Sequence, residues 1–147
     1  MATFETDPRG AADVEPWIGA DLPLLVAGED GEVLGWAKLS EYSDRCAYQG
    51  VAEVSVYVAR NARGRGVGRA LLDAICAAAE ERGLWKLIGL IFPENGASVA
   101  LFHAGGFEDV GTFRRHGRLD GEWRDVLVTE RLLGAARTPP GTAAPAG

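Results

Sequence analysis

The sequence predicts a single α/β domain built as a mixed β-sheet flanked by helices. Three observations carry that reading. The run Val51-Ala52-Glu53-Val54-Ser55-Val56-Tyr57-Val58 is rich in β-branched and aromatic residues, as a strand requires. After a loop rich in glycine and arginine, residues 69–82 set Leu71, Leu72, Ile75, Cys76 and Ala79 on one helical stripe. The short apolar run from Trp85 to Phe92 then reads as a buried parallel strand, completing a strand, loop, helix, strand unit.

Taken in order, residues 1–20 hold few core-type side chains, and Val14, Trp17 and Ile18 suggest a short amphipathic turn or helix. Leu24 to Ala27 and Val33 to Leu39 flank the glycine- and acid-rich segment 28–32, the pattern of a β-hairpin. In the strand from Val51 to Val58, alternation puts Glu53, Ser55 and Tyr57 on one face. The helix expected over Arg69 to Arg82 has Gly83 as its stop. A second helix is expected from Ala97 to Ala104, opened by Asn95 and closed by Gly105-Gly106. Two strands, Phe107 to Arg115 and Trp123 to Leu132, close the sheet on either side of a polar separator at 116–122. The fold is expected over residues 1–133; residues 134–147, small and proline-rich, read as a disordered tail.

Composition narrows the function. With 147 residues, 47% hydrophobic and 24% charged, the chain suits one packed core. No stretch approaches the roughly 18 apolar residues of a membrane span, and the N-terminus lacks signal-peptide character, so a cytoplasmic protein is expected. Cys46, Cys76, His103 and His116 lack metal-ligand spacing, and neither a metal nor a disulfide is indicated. A net charge of −6 argues against a general nucleic-acid binder. Against that background, Arg60, Arg63, Arg65 and Arg69 fall within ten residues that contain no acid.

A glycine-rich turn between a strand and a helix gathers backbone N–H groups and the positive end of the helix dipole at one point, where a pyrophosphate can sit. Gly64, Gly66 and Gly68 let the backbone curl without Cβ clashes, and Arg63, Arg65 and Arg69 add positive charge. A solvated basic loop or a plain tight turn is the simpler account. A Walker loop would need Gly-Lys-Ser/Thr where Gly68-Arg69-Ala70 stands. A dinucleotide fingerprint fits poorly, because the glycine register is wrong and the next strand ends in Phe92-Pro93 rather than an acid.

Arg63-Gly64-Arg65-Gly66-Val67-Gly68 does match the Arg/Gln-x-x-Gly-x-Gly/Ala pattern of the GNAT acetyltransferases. Ala47-Tyr48, the run from Val51 to Val58, Pro93-Glu94-Asn95 and Gly121-Glu122-Trp123-Arg124-Asp125-Val126 more closely resemble phosphinothricin and related amino-acid N-acetyltransferases, from about Thr3 to Leu132. That resemblance implies a GNAT fold with a V-shaped opening between two parallel strands. The pantetheine arm of acetyl-CoA would pair there with backbone at Val56, Tyr57 and Val58. Its phosphates would rest on Arg63, Gly64, Arg65, Gly66, Val67, Gly68 and Arg69, with Asn95 touching the cofactor or acting only as a helix cap.

The resemblance also implies roles in the reaction. An ammonium has no lone pair, so the acceptor amine must lose a proton. Glu53, a mid-strand carboxylate among apolar neighbours, matches the family's catalytic glutamate and could take that proton directly or through water. Arg45 and Tyr48 match the place where relatives hold the acidic groups of the substrate, although a solvated loop arginine is an equal account. Relatives carry His or Tyr where Phe102 stands, and phenylalanine cannot protonate the departing thiolate. Neighbouring His103 reads as a partly exposed helix residue, and Tyr57 remains a candidate donor. Trp123 and Asp125 read as core packing and turn bonding.

Relatives usually begin with a strand and helix that this sequence lacks, so a sheet edge and a pocket wall are expected to be exposed, to be covered by a homodimer or another partner. The expected activity is acetyl transfer from acetyl-CoA to the amine of a small amino acid or glutamate-like analogue, without nucleic acid or membrane. A non-catalytic acyl-CoA-binding module and a protein or peptide N-acetyltransferase are the alternatives.

Overall fold

The computed structural model describes residues 4–7, 12–16 and 22–137, the first two segments by their backbone alone. Within them lie the strands β1 (Phe4–Asp7), β2 (Ala12–Pro16), β3 (Leu24–Glu29), β4 (Glu32–Glu41), β5 (Val51–Val58), β6 (Lys86–Ile91), β7 (Glu108–Leu119) and β8 (Glu122–Leu132). The helices are α1 (Val67–Glu81) and α2 (Gly96–Ala104). All the strands join one sheet in the order β1-β2-β3-β4-β5-β6-β8-β7. Every neighbouring pair is antiparallel except β5 and β6, which are parallel because α1 crosses between them.

Period-two alternation and the register decide which face is covered. Leu25 lies opposite Ala37, and Leu39 opposite Val54, so these residues share one side of the sheet. Against that side α1 sets the stripe Leu71, Leu72, Ile75, Cys76 and Ala79, all buried. Leu71, Leu72 and Ile75 are fully enclosed, and each such side chain contributes roughly 1.5–3 kcal/mol by leaving water. Phe102 of α2 adds to the same core beside Leu87 and Ile91 of β6. Among the described residues Thr129 is the buried polar side chain, and its hydroxyl donates to the Gly89 carbonyl at 2.9 Å, which offsets the cost of burying it.

The middle of the chain follows the expected elements closely, while two segments differ. Residues 4–7 and 12–16 form β1 and β2 rather than a turn or helix, and Val14 pairs with Phe4 and Ala27. The open edge of β3 supplies backbone partners that outweigh a weak side-chain pattern. Trp17 and Ile18 lie outside the described residues.

The polar stretch 116–122 is not a separator but the distal end of a long hairpin. It turns at Asp120 and Gly121, with φ of 53° and 78°. Arg115, at φ 52°, sits in an irregularity of β7, where its N–H donates to the Asp125 carboxylate at 2.9 Å. Because β7 is an edge strand that is almost wholly exposed, it needs no apolar alternation and offers none to read. At the C-terminal end, Gly134–Arg137 forms a short 3-10 turn whose Gly134 N–H donates to Glu80 at 3.0 Å; the rest of the expected tail lies outside the described residues.

Two consequences can be tested on the folded chain. A Cβ on Gly50 would come within 2.0 Å of the Trp85 ring, and the Trp85 backbone N–H donates to the Gly50 carbonyl at 2.7 Å. Gly50→Ala should therefore destabilise the fold by about 1–3 kcal/mol, as overpacking does, and so lower the urea midpoint. The second concerns the two free thiols. Burial pushes Cys76 up from an ordinary 9.0 to about 11, only partly offset by the Arg131 guanidinium, whereas Cys46 is exposed. A disulfide reagent at pH 8 should titrate one fast thiol per native chain and a second only after unfolding.

Candidate active site

The parallel contact between β5 and β6 is short. It covers Val51, Ala52 and Glu53 opposite Lys86, Leu87 and Ile88, and stops there. Beyond Glu53 strand β5 runs on to Val58 bonded to β4, while β6 runs on from Ile88 bonded to β8. The two strands diverge into a V with Glu53 at its apex. At the wide end is a cavity of about 380 Å³, walled by Val56, Tyr57 and Val58 on one side and by Asn95, Ala97, Ser98 and Leu101 on the other. Its floor is the loop and first turn of α1, from Ala62 to Arg69.

That floor is built to receive an anion. Gly64 and Gly66 have φ of 80° and 81°, a left-handed conformation that costs other residues roughly 1–2 kcal/mol. A Cβ on either would meet open space, so conformation rather than crowding explains the glycine. Gly68 differs. Its Cβ would lie 3.2 Å from Leu101 and Val58, so here glycine allows the helix to approach strand and neighbour closely. Gly66 is the N-cap and has no side chain to cap with; the first helical bond runs from the Ala70 N–H to its carbonyl at 3.0 Å. The N–H groups of Val67, Gly68 and Arg69 therefore precede the helical ladder, with no acid in the first turn. Arg63 and Arg69 line the cavity, Arg69 also reaching Asp73 at 3.1 Å. Arg65 does not line it and instead pairs with Glu29 at 2.8 Å.

On the other wall, the Asn95 side chain accepts from the Ser98 N–H at 3.2 Å, capping α2. Asn95 is thus both a cap and part of the lining. Ala97, Ser98 and Leu101 were not singled out in the sequence, although their three- and four-residue spacing puts them on one helix face beside it. Ala62 was missed as well, and no local pattern marks it.

Glu53 is half-buried on the face of the sheet away from α1, opposite Ser40 on β4. Tyr57 shares that face, stacked on Trp36 with ring centroids 5.9 Å apart. Phe102 is buried in the core, edge-on to Phe107 at 4.9 Å and over Gly89, where an added Cβ would come within 2.6 Å of its ring. His103 is exposed, its Nε2 2.7 Å from Asp109.

Arg45 and Tyr48 are not brought to the cavity. Arg45 lines a separate depression with Arg82, Leu84 and Ala52, and Ala52 points to the side opposite Glu53; Tyr48 lies edge-on to Tyr42 at 6.0 Å. In the late motif, Asp125 makes the expected turn bond, but Trp123 is no core residue. It is 60% exposed beneath the Arg118 guanidinium at 4.9 Å, just past the turn at Asp120 and Gly121. Between them Arg124 pairs with Glu94 at 2.8 Å. Among the described residues there is no cluster suited to a metal, and no helix is long and apolar enough to cross a membrane.

Residues 2–107 match the model of the acetyltransferase (GNAT) family. The chain is 39% identical over 123 residues to phosphinothricin N-acetyltransferase of Alcaligenes faecalis, covering 82% of this chain and 62% of that protein. It is 35% identical over 144 residues to L-methionine sulfoximine/L-methionine sulfone acetyltransferase of Pseudomonas aeruginosa, covering 95% and 84%. Among solved structures, a GNAT superfamily phosphinothricin acetyltransferase from Sinorhizobium meliloti in complex with AcCoA superposes with a TM-score of 0.73 at 35% identity, covering 84% of this chain and 64% of that one.

The double position of Asn95 can be separated by substitution. Asn95→Ala should lower stability by about 1 kcal/mol through loss of the cap, while Asn95→Ser, an equally good cap, should hold it. Chemical denaturation of the two variants measures the difference.

Proposed function

Because the chain belongs to the acetyltransferase (GNAT) family, we propose that it is an acetyl-CoA-dependent N-acetyltransferase whose domain spans residues 1–133. The acceptor we propose is the amine of a small amino acid or glutamate-like analogue of the phosphinothricin or methionine sulfoximine type. One observation carries the reading: the V between β5 and β6 has the glycine-arginine cradle at its wide end and a carboxylate at its apex. From Glu53 to Val58 the strand spans about 17 Å, and beyond Glu53 its backbone has no β6 partner.

The residues fit the cofactor at both ends. The N–H groups of Val67, Gly68 and Arg69, with Arg63 and Arg69, would hold the pyrophosphate. Backbone at Val56, Tyr57 and Val58 would pair with the pantetheine arm, and Asn95 would close the opposite wall. When bound, acetyl-CoA supplies an activated thioester carbonyl. Glu53 takes the proton from the acceptor ammonium, freeing the nitrogen lone pair for attack, and the open face of the sheet gives the acceptor its approach.

A second reading, acyl-CoA binding without turnover, is favoured by Phe102, which can give no proton to a leaving thiolate. One experiment separates the two. Thiol release from acetyl-CoA is followed with a panel of glutamate-like amines, subtracting the constant signal of exposed Cys46. Amine-dependent release that falls about 100-fold or more in Glu53→Gln is expected of the enzyme. Protection from thermal unfolding by acetyl-CoA with no release at all would leave the binding module.

A further inference from the structure

Arg65 stands between the two left-handed glycines of the cradle, yet its guanidinium is turned away from the cavity and pairs with Glu29 at the end of β3. We infer that Arg65 is a positioning residue, not a phosphate ligand, and that the Glu29–Arg65 pair braces the phosphate loop against the β3–β4 hairpin. The inference rests on the proposed binding of acetyl-CoA and says how this chain shapes that site.

Glycine loses more conformational freedom on ordering than any other residue, so a Gly-Arg-Gly segment needs an external anchor to hold one shape. Neither Gly64 nor Gly66 has a side chain to provide it, and the space around a Cβ at either is open. Among the described residues the loop's anchors lie at its ends and its middle. At its start the Ala59 N–H donates to the Leu34 carbonyl of β4 at 2.7 Å, and at its end Gly68 seats on Val58 and Leu101. Between Ala62 and Val67, both buried in the core, Arg65 is the residue whose side chain bonds to another element, across 36 positions of sequence.

Charge supports the same assignment. Glu29, Asp30 and Glu32 crowd the hairpin turn, and an unpaired carboxylate there would repel a pyrophosphate. Pairing Glu29 with Arg65 cancels one of these charges, while Arg63, which has no ion-pair partner among the described residues, is left to face the cavity.

The two roles predict opposite results for Glu29. KM and kcat are measured with acetyl-CoA and with its 3′-dephospho form for wild type, Glu29→Gln, Arg65→Met and the charge-swapped double variant Glu29→Arg/Arg65→Glu. A brace predicts that both single variants raise KM about two- to five-fold for both donors, the range of a surface ion pair, and that the swap restores it. If Arg65 binds phosphate, Glu29→Gln leaves KM unchanged or lowers it by freeing the arginine, and the swap fails to restore it. That pattern overturns the inference. A ligand-free readout keeps this separate from the question of acetyl-CoA binding: trypsin cleavage after Arg63 should be faster in Glu29→Gln than in wild type. An unchanged rate would sink the brace whatever the chain binds.

Discussion

Everything in this molecule depends on how short the parallel pairing of β5 with β6 is. On one side of that seam β5 is bonded to β4 along seven consecutive residue pairs, Gly35 to Glu41 against Val58 to Ala52. On the other, β6 is bonded to β8 along its whole length. Two antiparallel half-sheets therefore meet through three pairs and then part. Were the ladder to continue, the backbone of Ser55 to Val58 would be consumed by β6 and nothing could be bound there. The divergence leaves polar backbone groups without a strand partner, which a folded chain keeps only where solvent or a ligand satisfies them.

The wedge is held open from behind by close packing. Gly89 lets the Phe102 ring lie directly on β6, and Gly105 lets Leu72 of α1 approach the end of α2. Gly68 allows α1, α2 and β5 to meet at one point beside the cradle. These glycines act by what they lack, a Cβ, whereas Gly64 and Gly66 act by the backbone angle they adopt. In the sequence the two kinds look alike. The loop glycines were legible because they cluster with arginines between a strand and a helix; Gly50 and Gly89 gave no signal and Gly105 read only as a helix stop, since close approach is a property of partners distant in sequence.

The same distinction explains what else could be read. β5, α1 and the glycine-arginine loop between them were visible because local periodicity and a compact motif encode them. The N-terminal strands and the full hairpin of β7 and β8 were not, because edge strands are set by their partners and carry little apolar alternation. Arg45 is the clearest case for the site. Its spacing from Glu53 in sequence is short, but the 3-10 turn at Cys46–Tyr48 and the alternation of β5 send it to a depression shared with Ala52, on the other side of the strand. On the Glu53 face the register brings Lys38 opposite Ser55 and Lys86 opposite Val51, the latter already paired with Glu130 at 2.8 Å.

Phe102 bears on how much acid catalysis the proposed reaction needs. A thiol of ordinary acidity has a pKa near 8.5, about two units below that of an alkyl ammonium such as lysine. A thiolate is thus expelled far more readily than an amine, and a general acid that typically contributes 10²–10⁴-fold is least needed when the leaving group is this stable. Below the acceptor's own pKa, removing its proton admits no such substitute, since the protonated nitrogen cannot attack at all. A site with a carboxylate at the apex of the cleft and a buried phenylalanine behind it keeps the group the chemistry cannot do without. Its rate should rise with pH as the acceptor deprotonates, until the amine no longer needs Glu53.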